Sequence, residues 1–403
     1  MTNTKYSKHF LMNKDTVIDY VKDNINYFKR DASLEADEIG DGNINYVFVV
    51  RDKASGKSIV VKQADTLLRS SGRPFDTHRN KIEAEILATE GELAPGSVPK
   101  IYDYNETMCA LTMEDISDYK NLRKELMKGK IFPKLADEIT DFMVDTMLPT
   151  TDLVMDRHEK KKKVQLFTNV DCCDITEDLV LTEPYYNYKN QNIITEGEED
   201  FVIKNLYQNE HLKAEVGKLR NNYMNNAQAL IHGDLHTGSI FINDKGLKVI
   251  DPEFAFYGPI GYDTGNVIGN LFFAWANKLV TEPENTEFLK WIEDAIRDVY
   301  DLLIYKFNKK FDECVKFPLY SKEFKKSYID SIMSDTIGYA GTEIIRRTVG
   351  DSKVIEVTSV KDHEKRIKLD ELLVNVGIQF ILSRSNYRNG TDVVEVFKEA
   401  AKK

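Results

Sequence analysis

Two carboxylates standing 17 positions apart, Asp234 and Asp251, constrain this chain more than any other feature. Asp234 lies in the turn-prone run Ile231-His232-Gly233-Asp234-Leu235-His236-Thr237-Gly238-Ser239-Ile240-Phe241. Asp251 follows the β-branched pair Val249-Ile250 and opens Asp251-Pro252-Glu253-Phe254. Singly, each acid suits a strand-end turn whose backbone it caps, a common use of Asp. Upstream, Glu38-Ile39-Gly40-Asp41-Gly42-Asn43-Ile44-Asn45-Tyr46-Val47-Phe48-Val49-Val50 reads as a strand, a glycine-bearing loop and a returning strand. Ser58-Ile59-Val60-Val61-Lys62 is a further β-branched strand ending in a cation. The apolar spacing of Ile82, Ile86 and Leu87 predicts a helix over 77–90 that offers Glu83, with Glu85 as runner-up, as partner to Lys62. Met alone, these are a hairpin turn, a solvated strand end and a solvated helix face.

In this order the elements resemble the protein-kinase-like phosphotransferases. There one Asp orients or deprotonates the acceptor hydroxyl and a second holds Mg²⁺ against the nucleotide phosphates. Against the pattern G-x-G-x-x-G-x-V, Gly40 and Gly42 match, Asn45 stands at the third glycine and Val47 follows. Asn tolerates φ > 0 better than other non-glycine residues, so the departure is mild. The resemblance implies ATP, Lys62 on its phosphates, and adenine bound by main chain near Glu114 and Ile116, where an apolar strand runs into a connector. It implies an α+β bilobal fold: a β-rich N-lobe at 1–113, a hinge at 114–118, and a mainly helical C-lobe at 119–403 carrying the catalytic loop, metal site and acceptor site. Protein kinases place a metal-binding Asn where this chain has Ser239. Glu253, two residues after Asp251 on an extended segment and so on the same side, supplies the missing hard oxygen in this reading.

At 403 residues with 42% apolar content the chain is long enough for two lobes, and a net charge of −11 argues against nucleic acid as its main partner. The basic run at 160–163 reads as a surface loop. Four cysteines, two of them the adjacent pair Cys172-Cys173, suit neither a zinc cage nor a disulfide framework, and reduced thiols imply cytoplasm. The N-terminal residues lack an apolar signal core, and the apolar stretch at 267–280 is interrupted by Gly269, Asn270, Asn277 and Lys278, so no membrane span is expected.

Asp15 reads as the N-cap of an amphipathic helix packing on the small lobe, and 185–200 as a polar loop. The aromatic stretch from Phe254 to Tyr262, punctuated by glycine and proline, serves either as lobe core or as the wall of a small apolar ligand. Asp263 suits the N-cap of the next helix; in folds of the resembling class an Asp here also bonds the catalytic loop from behind.

The strings His232 to Phe241, Ile250 to Asp263 and Gly341-Thr342-Glu343-Ile344-Ile345-Arg346-Arg347-Thr348-Val349-Gly350 closely resemble the 5-methylthioribose kinases, relatives of the choline and aminoglycoside kinases. The resemblance spans the chain. It implies transfer of the ATP γ-phosphoryl to the 1-hydroxyl of methylthioribose in methionine salvage, by a homodimer. It places Asp234 at the acceptor hydroxyl, Asp251 and Glu253 on Mg²⁺, and Arg346 and Arg347 on the sugar. By position alone the arginines sit in the last turn of a helix, where the dipole favours them, and helix neighbours point about 100° apart, so one has room to be purely structural. The rivals are a kinase of choline, homoserine or an aminoglycoside, and a non-catalytic nucleotide-binding scaffold.

Overall fold

The computed structural model describes residues 4–39, 45–67 and 76–402; Gly40 and Gly42 lie outside them. Contacts divide the chain into two units, residues 1–119 with 248–254, and residues 120–247 with 255–403. In the first, the β-branched runs form an antiparallel sheet of β1 (Leu34–Ile39), β2 (Tyr46–Asp52), β3 (Ser58–Gln63), β4 (Ile101–Asn105) and β5 (Ala110–Glu114), in the order β1-β2-β3-β5-β4. The preceding helix α1 (Lys14–Asn24) sets Val17, Tyr20 and Val21 against Phe48, Val50, Ile59 and Val61 of that sheet. Its cap is Asn13, not Asp15: the Asn13 side chain accepts from the Asp15 and Thr16 amides, and Thr16 closes the reciprocal bond. Helix α2 (His78–Leu93) carries Glu83 inward, while Glu85 faces solvent.

Residues 248–254, expected with the C-terminal lobe, pack in this first unit. The Val249 amide donates to the Ser97 carbonyl at 2.8 Å. Lys248 Nζ bonds the Val98 carbonyl at 3.2 Å and Glu114 Oε2 at 3.0 Å. A buried ammonium surrounded by oxygens is a strong local anchor.

The second unit opens with β6 (Lys120–Asn121) and α3 (Leu122–Met127), and continues through α4 (Leu135–Met147), α5 (Arg157–Leu166), α6 (Val170–Leu179), α7 (Glu183–Tyr186), α8 (Glu199–Val202) and α9 (Glu210–Asn225). Next come β7 (Ala229–Ile231), β8 (Ile240–Asn243) and β9 (Gly246–Val249), in which the chain passes into the first unit. On its return it forms β10 (Phe256–Gly258), α10 (Ile260–Thr281), α11 (Thr286–Cys314), α12 (Lys322–Val349), α13 (Ile355–Thr358), α14 (His363–Ser383) and α15 (Gly390–Ala400). Among the described residues no helix is long and apolar enough to cross a membrane.

One local expectation needs correction. The lysine run is helical, within α5, and Lys160 is buried; its Nζ bonds Asp152 at 2.7 Å and the carbonyls of Ala227 and Gln228 at 2.9 and 3.0 Å, just ahead of β7. One side of a polar helix was needed to bolt down that approach, a demand that composition does not reveal. The aromatic stretch is core rather than ligand wall. Phe256 and Tyr257 pair with Ile231 and Leu230 of β7 and pack on Tyr223 and Phe167.

Helices α10 and α12 approach closely because Gly261, Gly265 and Gly269, spaced by four, line one side of α10. A Cβ on Gly265 would lie 2.4 Å from the Thr336 carbonyl oxygen and 2.7 Å from the Ala340 nitrogen, both backbone atoms. Gly265→Ala is therefore expected to destabilise by about 1–3 kcal/mol or more through overpacking. Gly217→Ala, on exposed α9 with nothing within 4 Å of the added carbon, should instead stabilise by about 0.5–1 kcal/mol. Urea unfolding of the two variants checks the opposite signs.

Candidate active site

In the first unit, Lys62 at the inner end of β3 donates to Glu83 of α2 at 2.8 Å and to Asp251. Lys62 and Glu83 are buried, whereas the Asp251 side chain is 51% exposed. Asp251 has φ +67°, in the left-handed region that Asp enters more readily than most residues, so its carboxylate is aimed by an unusual backbone turn. Glu253 is buried and held from the far side: Asn45 Nδ2 donates to its Oε2 at 3.1 Å, Arg79 Nε lies 3.5 Å away, and Arg79 Nη2 donates to Asn45 Oδ1 at 3.0 Å. The Asn45 side-chain amide thus bridges a carboxylate and a guanidinium.

Burial alone would lower the Lys62 pKa, but Asp251, Glu83 and Glu253 hold it above its ordinary range. Burial pushes Glu83 up to about 7 against the pull of Lys62, and burial with Asp251 nearby raises Glu253. Negative charge is therefore in excess. Ligand oxygens of Glu83, Asp251 and Glu253 lie within 4.8 Å of one another, and Glu83 Oε2 is buried without a hydrogen-bond partner. A set of hard carboxylate oxygens short of positive charge fits Mg²⁺.

In the second unit, β7 ends in the segment His232-Gly233-Asp234. Gly233, at φ +81°, makes the turn that residues with a Cβ resist. The turn is pinned from α10 by Asp263, which accepts from the His232 amide at 2.6 Å and the Gly233 amide at 3.1 Å, while burial pushes its pKa up to about 7. Asp263 sits inside the first turn of α10, past its N-cap residue Pro259, and so braces the loop rather than capping the helix.

Asp234 faces three nitrogens: Arg346 Nη2 at 3.4 Å and Arg347 Nη2 at 3.6 Å from Oδ1, and His236 Nε2 at 3.4 Å from Oδ2. Burial would raise its pKa, but the positive groups around it hold it well below the usual carboxylate range. Both arginines are themselves held by Glu343, one turn earlier on α12, with Arg346 Nε at 2.5 Å and Arg347 Nε at 3.1 Å. Their side chains meet because three- and four-residue steps return to one helix face. Asn270 of α10 donates to Glu343 Oε1 at 3.0 Å and accepts from Arg123 at 2.5 Å; Arg123 in turn lies 3.4 Å from Glu356.

The structure thus brings Lys62, Glu83, Asp251, Glu253 and Asn45 together in one unit, and Asp234, Arg346 and Arg347 in the other. Glu114 and Ile116 lie elsewhere in the first unit. The Glu114 side chain holds Lys248 and the Lys100 amide, and the Ile116 carbonyl accepts from Tyr119. Ser239 turns its hydroxyl to the Asp234 carbonyl at 2.8 Å. Glu343, Asn270, Arg123 and Arg79 were not singled out from sequence. Only Glu343 left a signal, its spacing from the arginine pair.

Residues 188–296 match the phosphotransferase enzyme family. The chain is 35% identical over 374 residues to a methylthioribose kinase of Geobacillus sp. (strain WCH70), covering 92% of each chain. It is 33% identical to a methylthioribose kinase of Yersinia enterocolitica, covering 90% of this chain and 92% of the relative. The chain belongs to the methylthioribose kinase family. A solved choline kinase from Cryptosporidium parvum Iowa II, 14% identical, superposes with a TM-score of 0.50 over 96% of this chain and 95% of that one, a likeness of fold alone.

In this member of the methylthioribose kinase family the Glu343 carboxylate is wholly buried. Burial is outweighed by Arg346 and Arg347, and its pKa is pulled down to about 2. A depressed acid contributes stability above its unfolded value near 4.5, lost as pH falls through about 2. Glu343→Gln is expected to cost about 3–5 kcal/mol at neutral pH by leaving buried guanidiniums short of a counter-charge. Urea titrations should show that gap constant from about pH 8 to about pH 5 and narrowing below; a gap that does not narrow in acid would contradict the role of the charge.

Proposed function

We propose that the protein is an ATP-dependent kinase that phosphorylates the 1-hydroxyl of 5-methylthioribose, giving 5-methylthioribose 1-phosphate in methionine salvage. The observation that carries this reading is a carboxylate, Asp234, set against two guanidiniums from one helix turn. A sugar hydroxyl donates to the carboxylate, and its neighbouring oxygens accept from arginine N–H groups. Asp234 is ionised at neutral pH and far too weak a base to strip a hydroxyl in the ground state. It orients the attacking oxygen and takes the proton as the new P–O bond forms and the bond to ADP breaks.

The nucleotide half is the first unit. Lys62, kept charged and positioned by Glu83, binds phosphate oxygens, and Asp251 and Glu253 would hold Mg²⁺. Mg²⁺ bound there supplies neutralising charge to the phosphates. Gly40 and Gly42 cover the phosphates in this reading, Asn45 acts through Glu253, and the main chain at Glu114 and Ile116 receives adenine. The free cysteines fit a reducing cytoplasm, and a homodimer, to be checked by sedimentation, completes the reading.

Two guanidiniums beside Asp234 favour a neutral acceptor over choline or an aminoglycoside, whose positive charge they would repel. The deciding measurement is kcat/KM with ATP across methylthioribose, ribose, choline, homoserine and an aminoglycoside. Methylthioribose should lead; an acceptor better by about tenfold, a difference of about 1.4 kcal/mol, would overturn the substrate assignment. Asp234→Asn should lower kcat by at least about 10²-fold with ATP affinity little changed. Glu253→Gln should raise the Mg²⁺ concentration giving half-maximal rate, more than Ser239→Ala does; the reverse order would remove Glu253 from the metal site.

A further inference from the structure

His236 stands two residues after Asp234 in the same loop, and its ring nitrogens have different partners. Nδ1 is 3.1 Å from the Gly238 amide nitrogen and 3.1 Å from the Ser239 amide nitrogen. Backbone amides only donate, so Nδ1 holds a lone pair rather than a proton. Ser239 Oγ is 2.9 Å from the same nitrogen and 2.8 Å from the Asp234 carbonyl oxygen, and either partner takes its hydroxyl proton without changing that conclusion. The ring proton is then on Nε2, which faces Asp234 Oδ2 at 3.4 Å.

We infer that His236 is a neutral imidazole locked in its Nε2–H tautomer, whose N–H dipole is turned toward Asp234 and helps to position that carboxylate for phosphoryl transfer. It is a positioning residue, and the inference rests on the assignment of Asp234 to the acceptor hydroxyl. Oδ1 is turned to the arginines and Oδ2 to His236, so positive charge and an N–H dipole favour one orientation of the carboxylate.

The surroundings keep the ring in this state. A proton on Nδ1 would point at two N–H donors. Burial lowers the ring pKa, Asp234 and Glu343 oppose that, Arg123 and Arg347 reinforce it, and the balance leaves it at about 4. Gly238 makes the arrangement possible: a Cβ there would lie 2.8 Å from His236 Cε1 and 3.0 Å from Nδ1, which would force the amides off the ring. With its Nδ1 lone pair engaged by the loop amides and its proton on Nε2, the ring offers no free lone pair to the acceptor hydroxyl.

Two substitutions separate the ends of the ring. His236→Asn places an amide oxygen near the Nδ1 position, keeping an acceptor for the loop amides while removing the donor to Asp234. His236→Gln places an amide nitrogen near the Nε2 position, keeping the donor while removing the loop acceptor. His236→Asn is expected to lower kcat by about tenfold or more with KM for ATP within about twofold, whereas His236→Gln keeps kcat within about threefold despite a lower melting temperature. Wild-type kcat in His236→Asn, or equal losses in two folded variants, would overturn the inference. Nitrogen-15 histidine NMR of the unaltered enzyme reads the tautomer directly. The His236 proton should remain on Nε2 from about pH 6 to about pH 8, and an Nδ1 proton or an imidazolium in that range would overturn it. Asp234→Asn run alongside separates the readings: full activity there sinks the role of Asp234 while leaving the tautomer result intact.

Discussion

The second unit of this protein depends on one buried carboxylate. Glu343 lies between two guanidiniums that would otherwise be carried into a low-dielectric interior without compensation, at a cost of several kcal/mol per ion. Because Arg346 and Arg347 are fastened at Nε by Glu343, their Nη2 atoms are free to converge on Asp234. The arrangement needs Asn270 of α10 to come within hydrogen-bonding range of α12, and that is why three glycines face α12. Close helix packing, ordinarily a matter of stability, here sets the position of charge.

The first unit presents the opposite problem. Three carboxylates share one lysine, and burial raises the pKa of two of them, so negative charge there exceeds positive. Asn45 and Arg79 hold Glu253 from behind, so that this carboxylate keeps its place without filling it with their own charge. Asp251, aimed by a left-handed backbone, is the exposed member of the set.

Much of this was legible in the sequence because the chemistry sits on contiguous segments. Asp234, Asp251 with Glu253, and Lys62 after a β-branched run stand out by local pattern, whereas the arginine pair, which position alone assigns to the helix dipole, stands out only through the family resemblance. Choosing Glu83 over Glu85 needed only a helix face. What escaped depends on contacts distant in sequence. Lys160 looks like solvated surface until the carbonyls of Ala227 and Gln228 are seen beside it. Asn45 looks like a substitute glycine until Glu253, more than two hundred residues later, takes its amide. Asp263 looks like a helix cap until the turn it braces is folded. The aromatic stretch could not be assigned to core or ligand by composition, since both uses select the same residues.

Residues 248–254 belong to the first unit although the second flanks them in the chain on both sides. This has a consequence for biosynthesis. A ribosome that has released the first 119 residues has made the sheet and Lys62 but neither Asp251 nor Glu253, nor the strand that Lys248 anchors. The emerging N-terminal unit must wait, its lysine and Glu83 without their later partners, while residues 120–247 are synthesised. Closing so long an insertion costs about 4 kcal/mol in chain entropy if the intervening segment is unstructured, and less once that segment is compact. Completion of the first unit is thereby tied to the synthesis and compaction of residues 120–247, and a nascent chain cut short before residue 251 carries Lys62 and Glu83 without Asp251 or Glu253.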